Sequence, residues 1–245
     1  MRRFAEIDST NRYLLDEARA GAPEGTVVVA DHQSAGRGRL GRSWDAPAGS
    51  ALLMSVLLRP ALPPARLHLV TAAMALAAAD ACEAVSGVRP ALKWPNDLVV
   101  GDPATGESKL AGVLAEAELP AVVVGLGLNL TRPPPGSRYG AVALSQVAGR
   151  SVEASALLDR LLANLGALAE DWEVASSRYR RSCATVGRPV LVTLGVDGES
   201  FTGTAVEVDG DGHLCVDTDG GVRTVSAADV VHLRPLSEPP GPAGR

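Results

Sequence analysis

Residues 36–42, Gly-Arg-Gly-Arg-Leu-Gly-Arg, gather three glycines and three arginines within one short stretch. Glycine lets backbone N–H groups crowd a bound anion, and arginine keeps its charge at any biological pH. Such a run suits a phosphate or an acyl phosphate, although a solvated turn has the same composition. Lys93-Trp94-Pro95-Asn96-Asp97 sets a cation and a carboxylate at the two ends of a tight turn. The pair is either a surface ion pair, worth little, or a lysine for phosphate and an aspartate for a magnesium ion, both of use in adenylate chemistry. Lys109 opens the apolar run Leu110-Ala111-Gly112-Val113-Leu114. It either guards a sheet edge against aggregation or holds an ammonium where charge builds up in acyl transfer, with Gly112 allowing close approach.

Val122 to Leu130 is an apolar run with Gly125 and Gly127 in its second half. Interior glycine weakens a strand unless something packs on its backbone, whether a flat ligand, a bulge or a helix. Asn129 offers a donor and an acceptor, as an adenine edge needs, and a strand-end turn uses asparagine equally. Asp8-Ser9-Thr10-Asn11 reads as a helix cap. Its hydroxyls, with Gln33, equally suit a small polar ligand such as a urea. His32 has no matching serine or cysteine nucleophile, so a hydrolase triad is unsupported.

The chain of 245 residues has room for one large domain or two unequal ones. With 46% hydrophobic but only 3% aromatic residues, its core must be alanine, valine and leucine. A net charge of −5 argues against a protein that coats nucleic acid, while leaving room for a local positive pocket. Cys82, Cys183 and Cys215 are scattered and odd in number, as expected of buried thiols in a reducing cytoplasm rather than a disulfide framework or a zinc site. The first residues lack the apolar run of a signal peptide. The Ala-rich stretch Val70 to Val85 contains Asp80 and Glu83 and reads as too short and too polar to span a bilayer. The expectation is a soluble, cytoplasmic protein.

Ser9 or Thr10 caps a first helix that Gly21 and Pro23 stop. Strands are expected at Thr26–Ala30, Leu52–Leu58, Ala91–Trp94, Asp97–Val100, Lys109–Glu118 and Ala121–Leu130. Gly101–Glu107 reads as a hairpin turn. A long helix is expected at Leu67–Val85, with two more at Glu153–Leu168 and Trp172–Arg181. After Val186 the character changes to short alternating runs at Val190–Thr193, Phe201–Val208, His213–Asp217 and Val222–Val225, separated by Asp-Gly pairs. That is the pattern of a small barrel of about five strands. The division is an α+β domain at 1–186, a β-barrel at 187–236 and a disordered Pro/Gly tail at 237–245.

The blocks Asp8-Ser9-Thr10-Asn11, Gln33 to Trp44, Lys93 to Asp97, Lys109 to Gly112 and Gly125 to Asn129, in this order, closely resemble the biotin–protein ligases. The resemblance implies a mixed-sheet catalytic domain of the class II aminoacyl-tRNA synthetase-like type with a C-terminal SH3-like barrel. It implies synthesis of biotinyl-5′-AMP from biotin and MgATP, then transfer of biotin to a lysine of a biotin carboxyl carrier domain. Carried over residue by residue, Ser9, Thr10 and Gln33 hold the ureido end of biotin, and Gly36, Gly38 and Gly112 border it. Arg37 and Arg39 face carboxylate and phosphate, with Arg39 and Lys109 acting at the acyl–phosphate centre. Arg42, Trp44, Lys93, Asn96 and Asn129 serve the nucleotide, Asn129 reading adenine, and Asp97 serves Mg2+.

The chain departs from the family pattern at Leu40, where an arginine is common, and at Ser50-Ala51-Leu52 after the Pro47-Ala48-Gly49 turn. The Thr131–Tyr139 segment, by its place a second adenylate-covering loop, is stiffened by three prolines. The same resemblance leaves no room for an N-terminal DNA-binding domain, so neither DNA nor a membrane is an expected partner, and a monomer or weak homodimer is expected. A lipoate ligase of the same superfamily and a ligand-sensing module without catalysis are the competing readings.

Overall fold

A computed structural model describes residues 1–102, 106–133, 140–195, 198–226 and 228–233. Seven strands make the larger sheet: β1 (Arg2–Ile7), β2 (Val27–Gln33), β3 (Ala51–Leu58), β4 (Ala91–Lys93), β5 (Asp97–Asp102), β6 (Gly106–Glu118) and β7 (Ala121–Asn129), in the order β1-β2-β3-β7-β6-β5-β4. β1 runs parallel to β2 and the other pairs are antiparallel, so the sheet is mixed. The central strands are apolar on both faces because both faces are covered. Val28, Leu57 and Val123 meet Leu14 and Leu15 of helix α1 (Thr10–Arg19). Their neighbours Val29, Met54, Val56 and Val124 join the main core under α2 (His68–Ser86).

Helix α2 is apolar nearly all round, which suits a helix wrapped on every side. It lies over the sheet and packs against α4 (Ala154–Ala169) and α5 (Trp172–Ser182). Counted with the turn before it, Pro64–Ser86 reaches 23 residues, longer than the stretch read from the sequence and apolar enough to cross a membrane by length and composition only, but 67% of its most apolar window is buried inside the protein, as in a core helix. Its buried alanines are the core of this fold.

Outside the C-terminal strands, two elements lacked a signal in the sequence. β1 carries Arg2, Arg3 and Glu6 and is mostly exposed at the sheet edge, so it has no alternating pattern to read. A short helix α3 (Leu144–Ala148) contributes Leu144 to the core. The expected turn at Gly101–Glu107 is tighter than read, since Gly101 pairs with Glu107 and Asp102 with Gly106. The tail at 237–245 and positions 134–139 of the proline-rich loop lie outside the described residues.

The C-terminal strands β8 (Pro189–Thr193), β9 (Ser200–Val208), β10 (Leu214–Thr218), β11 (Gly221–Val225) and β12 (Asp229–His232) form an antiparallel sheet in the order β11-β10-β9-β8-β12. The five strands match the expected number. Among the described residues β11 and β12 are the two edges and do not pair, so no closed barrel forms there, an arrangement compatible with the expected SH3-like fold. It is docked on the rest of the fold through backbone oxygens: Trp94 Nε1–H donates to Gly212 O at 2.9 Å and Arg180 Nε–H of α5 to Val208 O at 2.7 Å, while Ala184 N–H, in the connection ahead of β8, donates to Leu92 O of β4 at 2.8 Å.

Leu76 is fully buried in the main core. Leu76→Ala is expected to cost about 2–5 kcal/mol, as large-to-small changes in packed cores do. Urea unfolding of the variant measures it, and a midpoint equal to wild type would contradict the packing described.

Candidate active site

A half-enclosed cavity of about 180 Å³ opens above β6 and β7, between the start of α1, the Gly/Arg loop and the Trp94-Pro95-Asn96 turn. At one end stands a chain of polar side chains. Ser9 caps α1, its hydroxyl accepting from the Arg12 N–H. Thr10 donates to Gln33 Oε1 from its backbone N–H at 2.8 Å and its hydroxyl lies 2.9 Å from the same oxygen. Ser55 Oγ lies 2.7 Å from Thr10 Oγ1 and 2.6 Å from Asn11 Oδ1. Asn11 Oδ1 only accepts, so the single Ser55 proton goes there. Asn11 Nδ2 donates to Glu116 at 2.8 Å, and Glu116 also binds Arg37 at 2.8 Å. A Cβ at Gly125 would strike Asn11, so this glycine makes room for the network.

At the other end lies the charge. β6 carries a bulge: Leu98 pairs with Ala111 while Val99 pairs with Lys109, leaving Leu110 as the extra residue. Strict alternation would put Lys109 and Gly112 on opposite faces; the bulge brings both into the cavity. Lys109 Nζ is 2.6 Å from Asp97 Oδ1, a close ion pair poorly aligned as a hydrogen bond. It also sits 5.5 Å from the centre of the Trp44 ring. That indole lies on backbone. Gly112 pairs with Gly127 across β6 and β7, and a side chain on Gly127 would overlap Trp44 outright. What packs on these strand glycines is therefore a side chain of the chain itself. Trp44 Nε1 is buried without a hydrogen-bond partner among the described residues.

The Gly/Arg loop folds as a hairpin over this platform. Trp44 N–H donates to Gly36 O at 2.9 Å, Arg37 bridges Ser43, and Arg42 N–H closes the tip onto Arg39 O at 3.2 Å. Leu40 (φ 55°) and Gly41 (φ 72°) both take the left-handed conformation that a tight hairpin tip requires. Gly41 does so freely, whereas Leu40 pays about 1 kcal/mol. Arg39 reaches Asn96 Oδ1 at 3.3 Å and Ala228 O at 3.4 Å. Burial pulls Arg39 below the usual arginine range; Asp97 counteracts it and Arg42 adds to it. Lys93 is likewise lowered, first by burial, with Asp97 and Glu107 opposing and Lys109 reinforcing.

The cavity thus brings together Ser9, Thr10, Gln33, Arg37, Gly38, Arg39, Arg42, Trp44, Lys93, Asn96, Asp97, Lys109 and Gly112. Two expected residues stand beside it rather than in its lining. Gly36 packs under the Trp44 carbonyl, where a Cβ would clash. Asn129 is buried, its Nδ2–H groups donating to Lys109 O and Val142 O, both at 3.3 Å, while Oδ1 has no hydrogen-bond partner among the described residues. Its link to the site is the Lys109 carbonyl. Residues without a sequence signal are Ser55, Glu116 and Glu107; Asn11 lies in the Asp8–Asn11 block but has no role of its own until the fold makes it a neighbour of Ser55.

Residues 4–129 match the Biotin/lipoate A/B protein ligase family, and residues 185–233 match the Biotin protein ligase C terminal domain. The chain belongs to the biotin protein ligase family. It is 39% identical over 239 residues to a Mycobacterium tuberculosis biotin–[acetyl-CoA-carboxylase] ligase, covering 94% of this chain and 88% of that protein. A Paracoccus denitrificans ligase of the same name is 33% identical, covering 93% and 98%. The fold superposes on the Aquifex aeolicus biotin protein ligase, solved with biotin and ATP, with a TM-score of 0.78 at 26% identity, over 95% of this chain and 98% of that one. The residues of the polar end and of the cationic end both fall within the matched 4–129 segment.

If the glycine platform exists to seat the indole, Gly127→Ala should destabilise by about 1–3 kcal/mol through overpacking. In a Trp44→Ala background the cost should largely vanish. A double-mutant cycle by thermal unfolding measures this; an unchanged cost would show that the indole is not what Gly127 accommodates.

Proposed function

We propose that the chain is an ATP-dependent biotin–protein ligase that makes biotinyl-5′-AMP and then transfers biotin to a lysine of a biotin carboxyl carrier domain. The observation that carries this is one cavity with a hydroxyl and amide network at one end, which Arg37 joins through Glu116, and Arg39, Arg42, Lys93 and Lys109 at the other. A cyclic urea offers one carbonyl acceptor and two N–H donors, the complement of the Ser9, Thr10 and Gln33 groups. A carboxylate is a poor electrophile. In the first step its oxygen attacks the α-phosphorus of ATP and pyrophosphate leaves; in the second the acceptor amine attacks the acyl carbon and AMP leaves. Both steps gather negative charge on phosphate, and what they need from the protein is cations and position rather than a covalent nucleophile.

Lys109 and Arg39 serve the acyl–phosphate centre in this reading. Arg42, Trp44, Lys93 and Asn96 serve the nucleotide, and Asn129, whose buried Oδ1 has no hydrogen-bond partner among the described residues, the adenine. Gly36 and Gly38 shape the loop that covers the adenylate, and Gly112 the floor. No group of three His, Cys, Asp or Glu side chains that could hold a metal ion occurs among the described residues. Asp97 as a lone carboxylate suits a Mg2+ carried mainly by ATP phosphates, which such ions commonly are. Residues 1–186 would form the catalytic unit and 187–236 the appended β domain. The partner is the carrier domain of a biotin-dependent carboxylase, as the names of the relatives suggest. Neither DNA nor a membrane enters the reaction, a monomer or weak homodimer suffices, and three free buried thiols fit a cytoplasmic enzyme.

Purified protein with biotin, MgATP and a carrier domain should release pyrophosphate and yield a biotinylated carrier; lipoate in place of biotin should not. A folded protein that gives neither product refutes the assignment. Lys109→Ala should slow adenylate formation by about 100–1,000-fold, the cost of one transition-state donor. Arg39→Gly should let biotinyl-AMP escape and label bystander lysines; a tightly held adenylate in that variant would remove Arg39 from the lid.

A further inference from the structure

Glu107 is the second carboxylate, after Asp97, in the lining of a pocket rich in cations. Its charge is engaged from outside the larger sheet. Glu107 Oε2 is 2.6 Å from His232 Nδ1, with the two side chains only 11% and 4% exposed. His232 Nε2 is 3.0 Å from Thr185 Oγ1, and Thr185 Oγ1 accepts the Trp94 backbone N–H at 3.0 Å. The tautomer is assigned from these partners. A neutral imidazole donates Nδ1–H to Glu107 and accepts the Thr185 hydroxyl proton at Nε2, which leaves Thr185 a lone pair for Trp94. Every polar atom in the relay is then satisfied. Burial, the largest influence, holds His232 below the ordinary imidazole range; Glu107 pulls upward, while Lys93 and Arg188 push down.

The two ends of this relay are adjacent to the two lysines of the phosphate end. Trp94 follows Lys93 at the end of β4. Glu107 precedes Lys109 by two residues, on the same face of β6. In the sheet, β4 and β6 are not neighbours, since β5 lies between them. The relay through Thr185 and His232 is a second connection between them, made from the C-terminal side.

We propose that His232 is a positioning residue for the nucleotide end of the cavity: through Thr185 and Glu107 it sets the spacing of Lys93 and Lys109, and this is a task of the C-terminal sheet. The inference rests on the ligase reading. His232→Phe keeps the ring and removes both polar contacts. Glu107→Gln removes the carboxylate at the other end with little change of shape. Each should weaken MgATP, in both KM and calorimetric affinity, by on the order of tenfold, the cost of a broken buried charge-assisted contact. Biotin affinity should hold within about twofold, because Thr10 and Gln33 belong to α1 and β2. His232→Asn, which keeps a donor near the Nδ1 place, should recover part of the loss.

The pH profile separates positioning from mere folding. The groups facing His232 are Glu107 from β6, Lys93 from β4, and Thr185 and Arg188 ahead of β8. As pH falls below the imidazole's ordinary 6.5, protonation takes away the Nε2 acceptor, so the wild-type KM for ATP should rise on the acid side. His232→Phe should lack that limb. The inference is overturned by an unchanged ATP affinity in the folded variants, or by biotin and ATP affinities that fall together with the melting temperature. Should His232→Phe not fold, Glu107→Gln carries the same expectation. Wild-type protein that binds ATP but releases no pyrophosphate with biotin would sink the ligase reading, while ATP calorimetry on the variants would still decide the relay.

Discussion

Lys93 and Lys109 share the floor of one cavity with Asp97 and Glu107, and the rest of the site depends on how those charges compensate one another. Two ammonium groups drawn into a partly dry cavity would repel each other and lose hydration. Asp97 lies against Lys109, and Glu107 answers Lys93 while being held by His232. Polyanionic phosphate entering such a floor meets cations whose positions are already set. That is preorganisation, and it puts the cost of gathering like charges into folding rather than into the reaction.

The polar end is built on the opposite principle. Thr10, Asn11, Gln33, Ser55 and Glu116 come from a helix start and from three strands, and they satisfy one another with no net excess of cation. Such an end would recognise a neutral ring with a carbonyl and two N–H groups by direction, not by charge. Separating a directional end from an electrostatic end gives the cavity a polarity along its length.

Much of this was legible in the chain because it depends on residue types that are costly elsewhere. Glycines inside an apolar strand at Gly125 and Gly127, and arginines between glycines at 36–42, declare that something must approach closely. The identity of what approaches was not legible: Trp44 lands on Gly127 and Asn11 on Gly125, both from distant segments. The bulge at Leu110 was invisible because Lys109 is followed by Leu110-Ala111-Gly112-Val113-Leu114, a run with no alternation for an extra residue to interrupt. β1 escaped notice because a charged edge strand has no buried face to impose alternation, and β12 because four residues are too few to show a period. No motif surrounds His232 in the sequence; only the docking of the smaller sheet gives it Glu107 as a neighbour.

The hairpin of residues 36–44 contributes both its arginines and, through Trp44, a surface on which the floor lysine rests. Roof and wall are therefore one continuous piece of chain. If this hairpin swings away, the indole leaves its glycine seat in the same movement, and the enclosure stops existing as a shaped space. Departure of a bound molecule and loss of the chamber that fitted it become a single event, so the dwell time of an unstable intermediate is governed by the stability of one short ribbon of backbone.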